Sequence, residues 1–249
     1  MDPRQTARIA ALSLLALCGT VTVAAAPDSK VQPGHVELAD ASNAKITRLG
    51  GDATAPTVVR DERREWMYRA GRSFTESPLP DGYPRPTAPG AIELKHYPSI
   101  RRAEFGGSRS AGERGFWPLF RHISDRDIAM TAPVEMDIDE DGTTMSFLYQ
   151  RRELGPVGDA EMGVVVRDTE PVWVVSIGFN GPRSERTVQD AIAKLEAMIK
   201  ENDEIVSTGR SRWMGYNSPG VPRDRQWWEV QVLVEPAVGE SDSPETAEG

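Results

Sequence analysis

The stretch of residues 116–136 contains the clearest structural pattern in the chain and reads Phe-Trp-Pro-Leu-Phe-Arg-His-Ile-Ser-Asp-Arg-Asp-Ile-Ala-Met-Thr-Ala-Pro-Val-Glu-Met. Its first part has apolar residues at the spacing of one helix face, at Phe116, Leu119, Phe120 and Ile123. Its second part alternates apolar residues at period two, at Ile128, Met130, Ala132, Val134 and Met136. The stretch therefore predicts a helix followed by a half-buried strand.

Two prolines limit these elements. Proline is tolerated in the first turn of a helix but not in its interior, so Pro118 predicts a helix that begins near Gly115. Pro133 cannot donate to a sheet ladder, so the strand that contains it is expected at a sheet edge or a bulge.

The remaining chain repeats this pattern. Strands are predicted at 91–97, 100–105, 143–150, 162–167, 172–179, 205–216 and 226–234. A second helix has one continuous apolar face formed by Val188, Ala191, Ile192, Leu195, Met198 and Ile199, and Ser184 is its predicted N-cap. Two strand-helix-strand-strand halves predict an α+β domain whose two helices pack on a curved antiparallel sheet.

The charge of the chain excludes some partners. The 249 residues have a formal net charge of −9 and no basic run. Because nucleic-acid phosphates require clustered Lys and Arg, nucleic acid is not an expected partner, and adhesion to anionic lipid is unfavourable for the same reason. The 39% hydrophobic and 27% charged content is typical of a soluble globular protein.

The N-terminus is typical of a secretory signal peptide. Arg4 and Arg8 precede an apolar run over 9–23, and three alanines then provide a cleavage site after Ala26. An uncleaved membrane anchor is disfavoured, because a run of roughly 15 residues is shorter than the roughly 20 that a spanning helix needs. We therefore expect a periplasmic or secreted protein that is free of the membrane after cleavage.

The single cysteine falls inside this segment. Acylation of Cys18 would make the protein a lipoprotein, but Leu17 is larger than the residue that such processing prefers. With cleavage after Ala26 the mature chain has no thiol, which excludes disulfides and cysteine nucleophiles.

Composition predicts a division of the whole chain into four parts. Residues 1–26 are the signal peptide, and residues 27–90 form a Pro/Gly-rich arm whose last part, 76–90, is an extended linker. Residues 91–235 form the domain itself. Residues 236–249 contain four acids and no base, which is typical of a disordered acidic tail.

The segment Ile128-Ala-Met-Thr-Ala-Pro-Val134, preceded by Leu119-Phe-x-x-Ile123, resembles the signature of the SOUL family of haem-binding proteins. Three further stretches resemble the family in the expected order: Ile92–Pro98 its opening strand, Gly215–Pro219 its second proline motif, and Arg225–Val230 its closing strand. The resemblance covers roughly residues 91–235. It implies a distorted antiparallel β-barrel of two strand-helix-strand-strand halves with two helices packed on it, and haem as the bound cofactor.

His96 is the candidate axial ligand. On the strand 92–97 it shares a face with Ile92 and Leu94, and a neutral imidazole on an apolar face can bind haem iron. The resemblance supports this role, because some SOUL members place a histidine at this point, whereas others lack it. A packed strand histidine is the alternative. His35 lies in the arm, and His122 is expected to be a partly exposed helix residue.

Other residues are candidates for the rest of a haem site. Apolar side chains that could line the porphyrin are Met130, Met145, Phe116, Phe120 and Phe147, with core packing as their alternative role. Arg101 and Arg210, like Arg102 and Arg212, could pair with propionates, since guanidinium matches carboxylate geometry. Surface solvation is the alternative for each arginine.

These patterns favour a binding protein over an enzyme. The sequence has no G-x-S-x-G, H-E-x-x-H, phosphate-loop or G-x-G-x-x-G motif. The first hypothesis is an exported protein that sequesters or carries haem or another tetrapyrrole without transforming it, with protein partners unknown. The alternatives are a module for other planar hydrophobic ligands and a hydrolase that uses the same cleft.

Overall fold

The computed structural model describes residues 46–51, 53–60, 66–108, 114–139 and 142–237. The predicted signal peptide, Cys18, His35 and nearly all of the acidic tail lie outside these ranges and stay predictions. Within the ranges, no helix has the length and apolarity that crossing a membrane requires.

The described elements are thirteen strands and two α-helices. The strands are β1 Ile46–Gly50, β2 Thr57–Arg60, β3 Trp66–Ala70, β4 Ser73–Phe74, β5 Ile92–Tyr97, β6 Arg101–Ser108, β7 Val134–Asp139, β8 Gly142–Leu148, β9 Gly158–Asp159, β10 Val165–Asp168, β11 Val172–Asn180, β12 Ile205–Gly215 and β13 Trp227–Pro236. The helices are α1 Phe116–Asp125 and α2 Glu185–Lys200.

Ten of the strands form one antiparallel sheet in the order β1-β5-β11-β13-β12-β7-β8-β6-β10-β9, and β2, β3 and β4 form a small second sheet. The order is symmetric about the β12–β7 pair: β6-α1-β7-β8 and β11-α2-β12-β13 are equivalent halves. Each half also receives the strand that precedes the other, because β5 pairs with β11 and β10 pairs with β6. The predicted α+β class with two halves is confirmed. Among the described residues the pairing runs from β1 to β9 without joining its ends, so closure into a barrel stays a prediction.

Helix α1 begins where Pro118 predicts. Gly115 is its N-cap, so Pro118 lies in the first turn, where its missing N–H breaks no helical hydrogen bond. Leu119 and Ile123 are buried against the core formed with β6 and β8. Of the predicted apolar stripe, Leu119 and Ile123 therefore form the packing face, whereas Phe116 is exposed and Phe120 is partly buried.

Helix α2 is held by a capping box and a buried stripe. The Ser184 side chain accepts the Thr187 backbone N–H, and the Thr187 hydroxyl accepts the Ser184 N–H in return. Its buried residues, Val188, Ala191, Leu195 and Ile199, pack on the sheet. The predicted N-cap and apolar face are confirmed.

The position of Pro133 differs from the prediction. Strand β7 begins at Val134, rather than at residue 128, and lies between β12 and β8 in the interior of the sheet. The edge-strand prediction is wrong because Pro133 precedes the ladder and withdraws no donor from it. The neighbouring Ala132 N–H instead donates to the Pro78 carbonyl at 2.9 Å.

Part of the predicted arm and linker packs on the sheet. Strand β1 pairs with β5, and residues 78–91, which we term the strap, lie over the sheet face opposite α1 and α2. Leu79, Tyr83 and Ala88 of the strap are buried. No named helix or strand covers the strap, and burial of these side chains packs it onto the domain that the sequence predicts to begin at residue 91. We term the sheet face beneath the strap the inner face.

Candidate functional site

Aromatic rings gather where α1 meets the sheet. The rings of Phe116 and Phe120 are stacked with centroids 5.8 Å apart, and Phe116 meets Phe147 edge-on at 5.5 Å. Trp117 packs edge-on against Phe120 at 6.0 Å. Phe147 is fully buried and forms the floor of this group.

Thioethers extend the same surface. Met130 and Met145 pack, partly buried, against the core beneath α1, and Met145 pairs across β6 and β8 with Phe105. Phe116 is 37% exposed and Trp117 is 71% exposed, so the group opens to solvent. We term Phe105, Phe116, Trp117, Phe120, Met130 and Met145 the α1 surface. The structure thus brings together the five predicted apolar site residues, with Phe147 in the core role and the others at least partly exposed.

His122 lies on α1 but is buried, which corrects the expectation of partial exposure. Its Nε2 lies 2.7 Å from the Tyr149 hydroxyl, and its Nδ1 has no hydrogen-bond partner among the described residues. Burial lowers the pKa of His122, so the imidazole is neutral near pH 7.

The inner face carries a buried carboxylate, Glu229, with many donors. Its oxygens accept hydrogen bonds from the hydroxyls of Ser176 at 2.6 Å and Tyr216 at 2.8 Å. They also accept the Thr87 backbone N–H at 2.5 Å and contact the Lys95 ammonium at 3.2 Å. These donors replace the water that burial removes.

A second carboxylate joins the two halves of the sheet. Glu135 on β7 pairs with Arg212 of the adjoining β12 at 3.1 Å and with Arg102 of β6 at 3.0 Å. The Tyr83 hydroxyl of the strap donates to Glu135 at 2.5 Å. Glu135 is therefore paired on both sides of the central β12–β7 boundary.

A third carboxylate, Glu93, binds the strap from β5. The Arg85 guanidinium donates to both of its oxygens, at 2.8 and 3.2 Å. Lys95, two residues along β5, donates to the Arg85 carbonyl at 2.8 Å. The inner face is thus a continuous layer of buried, paired charges.

The pKa values reflect this pairing. Burial opposes the charged form of Glu229, yet the nearby Lys95 and the hydrogen bonds from Ser176, Thr87 and Tyr216 bring its pKa below the usual value. Burial also dominates for Lys95 and lowers its pKa in spite of the adjacent carboxylates. The hydrogen bonds and the contact with Lys95 therefore favour the ionised form of Glu229.

Comparison with known families agrees with this architecture. The sequence profile of the family described as SOUL heme-binding protein matches residues 84–233, more than half of the chain. The chain belongs to the SOUL family. The match spans both halves of the sheet and both helices of this SOUL domain, and it begins within the strap.

Solved structures are similar in part. The chain covers 96% of the EcmrR C-terminal domain at 13% identity with a TM-score of 0.46, over 58% of its own length. It covers 94% of a hydrolase from Listeria innocua at 11% identity with a TM-score of 0.43, over 61% of its own length. In the EcmrR–DNA complex it spans only 57% of the EcmrR chain. No curated protein matches the SOUL chain in sequence.

His96 does not lie with the α1 surface. Its ring packs against Trp173 with centroids 4.8 Å apart, and Trp173 packs on the core beneath α2. His96 is 8% exposed, and burial lowers its pKa, which favours the neutral imidazole. Its predicted place on the face of Ile92 and Leu94 agrees with this packing, whereas its role as an axial ligand stays a prediction.

The candidate arginines have other partners or positions. Arg101 binds both oxygens of Asp168, at 2.8 and 2.9 Å, and Arg102 and Arg212 bind Glu135 on the inner face. Arg210 is exposed beside an irregularity of β12, in the half that carries α2. None of these arginines is placed by the structure on the α1 surface.

The Asp168 carboxylate makes the free energy of unfolding depend on pH in the acidic range. The hydrogen bond from Arg101 is the main cause that lowers the Asp168 pKa from 3.8 to about 2. A depressed folded-state pKa contributes stability above the unfolded pKa, and this is lost as pH falls through the folded pKa. We therefore expect Asp168→Asn to lose less stability than the wild type between pH 4 and 2, measured by urea unfolding. Asp190→Asn, at a site 71% exposed on α2, is the control; parallel curves for Asp168→Asn and the wild type would contradict the prediction.

The α1 surface suits the haem that the family description implies. Aromatic rings and thioethers match the apolar faces of a porphyrin. Met130 and Met145 pack, partly buried, against the core at this surface, while the one histidine of α1 has its Nε2 engaged by Tyr149. These residues would hold the macrocycle mainly through apolar contact.

Sequence reasoning missed two sets of residues. Trp117 and Phe105 complete the α1 surface, and an aromatic beside the helical stripe was the available signal for Trp117. The inner-face charges were also missed, although Glu135 and Glu229 stand within apolar strand patterns. A charge at such a position indicates a buried partner.

Proposed function

We propose that this SOUL protein binds haem or another tetrapyrrole at the α1 surface and carries or sequesters it without transforming it. The observation that carries the proposal is the partly exposed pair of stacked rings, Phe116 and Phe120, over the buried Phe147. An apolar macrocycle that covers these rings removes them from water, which is the main favourable term for such a ligand.

A cation lies beside this surface. Arg121 follows Phe120 on α1, and its side chain is 70% exposed. Its ion pair with Asp125, at 3.4 Å, is a solvent-exposed pair of small strength, so the guanidinium can turn to a propionate.

Export is part of the proposal. The signal-peptide pattern with cleavage after Ala26 supports a periplasmic or secreted carrier. The net charge of −9 supports a small-molecule ligand rather than nucleic acid.

The test is a titration of residues 27–249 with haemin, in which the Soret absorption band reports binding. We expect saturable one-to-one binding, and we expect Phe120→Ser to raise Kd by about tenfold, since a lost aromatic contact is worth roughly 1–1.5 kcal/mol. His96→Ala is the matched control and is expected to stay within about twofold of the wild type, because His96 packs against Trp173 and not at the α1 surface.

The opposite pattern would move the site. If His96→Ala abolished the shifted Soret band and Phe120→Ser had no effect, haem would bind on the β5 side with His96 as ligand. Absence of saturable binding at micromolar haemin would rule out the haem function.

A second candidate is a module for other planar hydrophobic ligands. The α1 surface favours this candidate because it is apolar and its one nearby imidazole, that of His122, is engaged by Tyr149. Apolar contact between this surface and a planar ligand does not require iron. Titration with metal-free protoporphyrin distinguishes the two: equal affinity for both porphyrins supports a general planar-ligand site, and a strong preference for haemin supports iron recognition. The hydrolase alternative lacks such support, because Ser176 and Glu229 bind each other beneath the strap.

A further inference from the structure

The strap is attached to the sheet by few backbone bonds. Five of its residues are prolines, at 78, 80, 84, 86 and 89, and proline has no N–H to donate. Its main-chain bonds to other elements include Asp81 N–H to the Gln150 carbonyl and Gly90 N–H to the Gly178 carbonyl, each at 2.9 Å. Most of its specific recognition must therefore come from side chains.

Alternate strap residues bind the three inner-face carboxylates. Tyr83 donates to Glu135, Arg85 to Glu93, and the N–H and hydroxyl of Thr87 to Glu229. Residues 83, 85 and 87 are spaced by two, so an extended chain presents them on one side. The intervening prolines, Pro84 and Pro86, fix their own φ angles and restrict Tyr83 and Arg85 before them to extended conformations.

The sheet is also shaped to receive the strap backbone. The Trp227 indole N–H donates to the Thr87 carbonyl at 2.9 Å. A Cβ on Gly178 would lie 2.3 Å from the Thr87 carbonyl oxygen, so only glycine allows this close approach. The strap turns at Gly82 and Gly90, whose φ angles are +74° and +86°.

We propose that the inner face is a second binding site, for an extended, proline-spaced peptide of the form Tyr-Pro-Arg-Pro-Thr, and that the strap fills it as an intramolecular ligand. In this site Glu135 accepts a hydrogen bond from the tyrosine hydroxyl, Glu93 binds the arginine guanidinium, and Glu229 accepts the threonine backbone N–H. A pre-extended ligand loses little conformational freedom on binding. The strap therefore leaves and returns as a unit, and a peptide of the same chemistry occupies the inner face when it is away. This site does not depend on haem.

The test uses residues 27–249 with the double substitution Arg85→Ala/Thr87→Ala. Hydrogen exchange is measured at the amides of Asp81 and Gly90 and at the amides of β13. We expect the strap amides to exchange at least about tenfold faster than in the wild type while β13 is unchanged, since separate elements open separately. A fluorescently labelled peptide of residues 78–91 should then bind the variant saturably and the wild type at least about tenfold more weakly. The matched control peptide carries alanine at 85 and 87 and should not bind.

Two results would overturn the proposal. If the exchange of β13 accelerates together with that of the strap, the strap is not a separate element. If the strap is released and the peptide does not bind, the inner face does not recognise this segment as a ligand.

Gly178→Ala gives an independent route if the double variant does not fold. Its added methyl must displace the strap backbone, so faster exchange of the strap amides with β13 unchanged is expected. The labelled peptide should not bind this variant, because the same methyl excludes its backbone. Wild-type exchange in low urea supplies the remaining check: strap amides that exchange no faster than β13 amides overturn the proposal. Haemin binding measured on the same samples reports separately on the α1 surface.

Discussion

Replacing Glu229 by alanine is expected to lower the free energy of unfolding by about 3–5 kcal/mol, the range for removing one partner of a buried ion pair. The carboxylate is fully buried and accepts hydrogen bonds from Ser176, Tyr216 and Thr87. Its loss leaves the Lys95 ammonium buried with Glu93 as its nearest carboxylate, at 3.9 Å. Urea unfolding followed by tryptophan fluorescence measures the change.

Glu235→Ala is the matched control for this prediction. Glu235 lies on the same strand, β13, but is exposed, so its removal should change the free energy by no more than about 0.5 kcal/mol. A loss below about 1 kcal/mol for Glu229→Ala would show that water enters the inner face and solvates Lys95. In that case the strap would not seal this face.

Leu195→Ala is expected to destabilise the protein by about 2–5 kcal/mol, because it removes buried carbons and leaves a cavity. Leu195 is fully buried at the centre of the α2 stripe, between Ala191 and Ile199. The same core contains Val175 and Val230 of the sheet, whose rigid strands limit collapse into the cavity. Urea unfolding measures the loss of stability, and we expect the dependence of the free energy on urea concentration to be unchanged.

Lys194→Ala tests whether the effect comes from packing. Lys194 precedes Leu195 on the same helix and is exposed, and alanine is also a strong helix former, so a change within about 0.5 kcal/mol is expected. Equal losses for both substitutions would mean that the loss at Leu195 does not come from its burial.

The candidate site could be predicted only in part. The sequence grouped Phe116, Phe120, Met130 and Met145 as candidates, and the structure packs Phe120, Met130 and Met145 against one core beneath α1; their role in binding stays a prediction. The sequence analysis also assigned His96 to the same site, since His96 lies on an apolar strand face, as the other candidates lie in apolar patterns. Periodicity identifies a face but not which half of the sheet supplies it, and β5 crosses to pair with β11.

The inner face lay beyond sequence reasoning for a related reason. Glu93, Glu135 and Glu229 come from three distant strands, and each alone is an ordinary alternating strand residue. These three glutamates lie under one strap only because β5, which precedes the first half, pairs with β11 of the second half. Their charges are tolerated because each meets a donor that is remote in sequence, as Glu229 meets Thr87.

Four features could be predicted from local sequence alone: the start of α1 at Gly115, the capped and amphipathic α2, the α+β class and the SOUL family. These follow from the spacing of apolar residues, from proline geometry and from a contiguous motif, all of which act over a few residues. The packing of His96 against Trp173, the interior position of β7 and the burial of the strap follow only from the tertiary structure. Those depend on strand pairing and on charge pairs between residues far apart in the chain, which local periodicity does not encode.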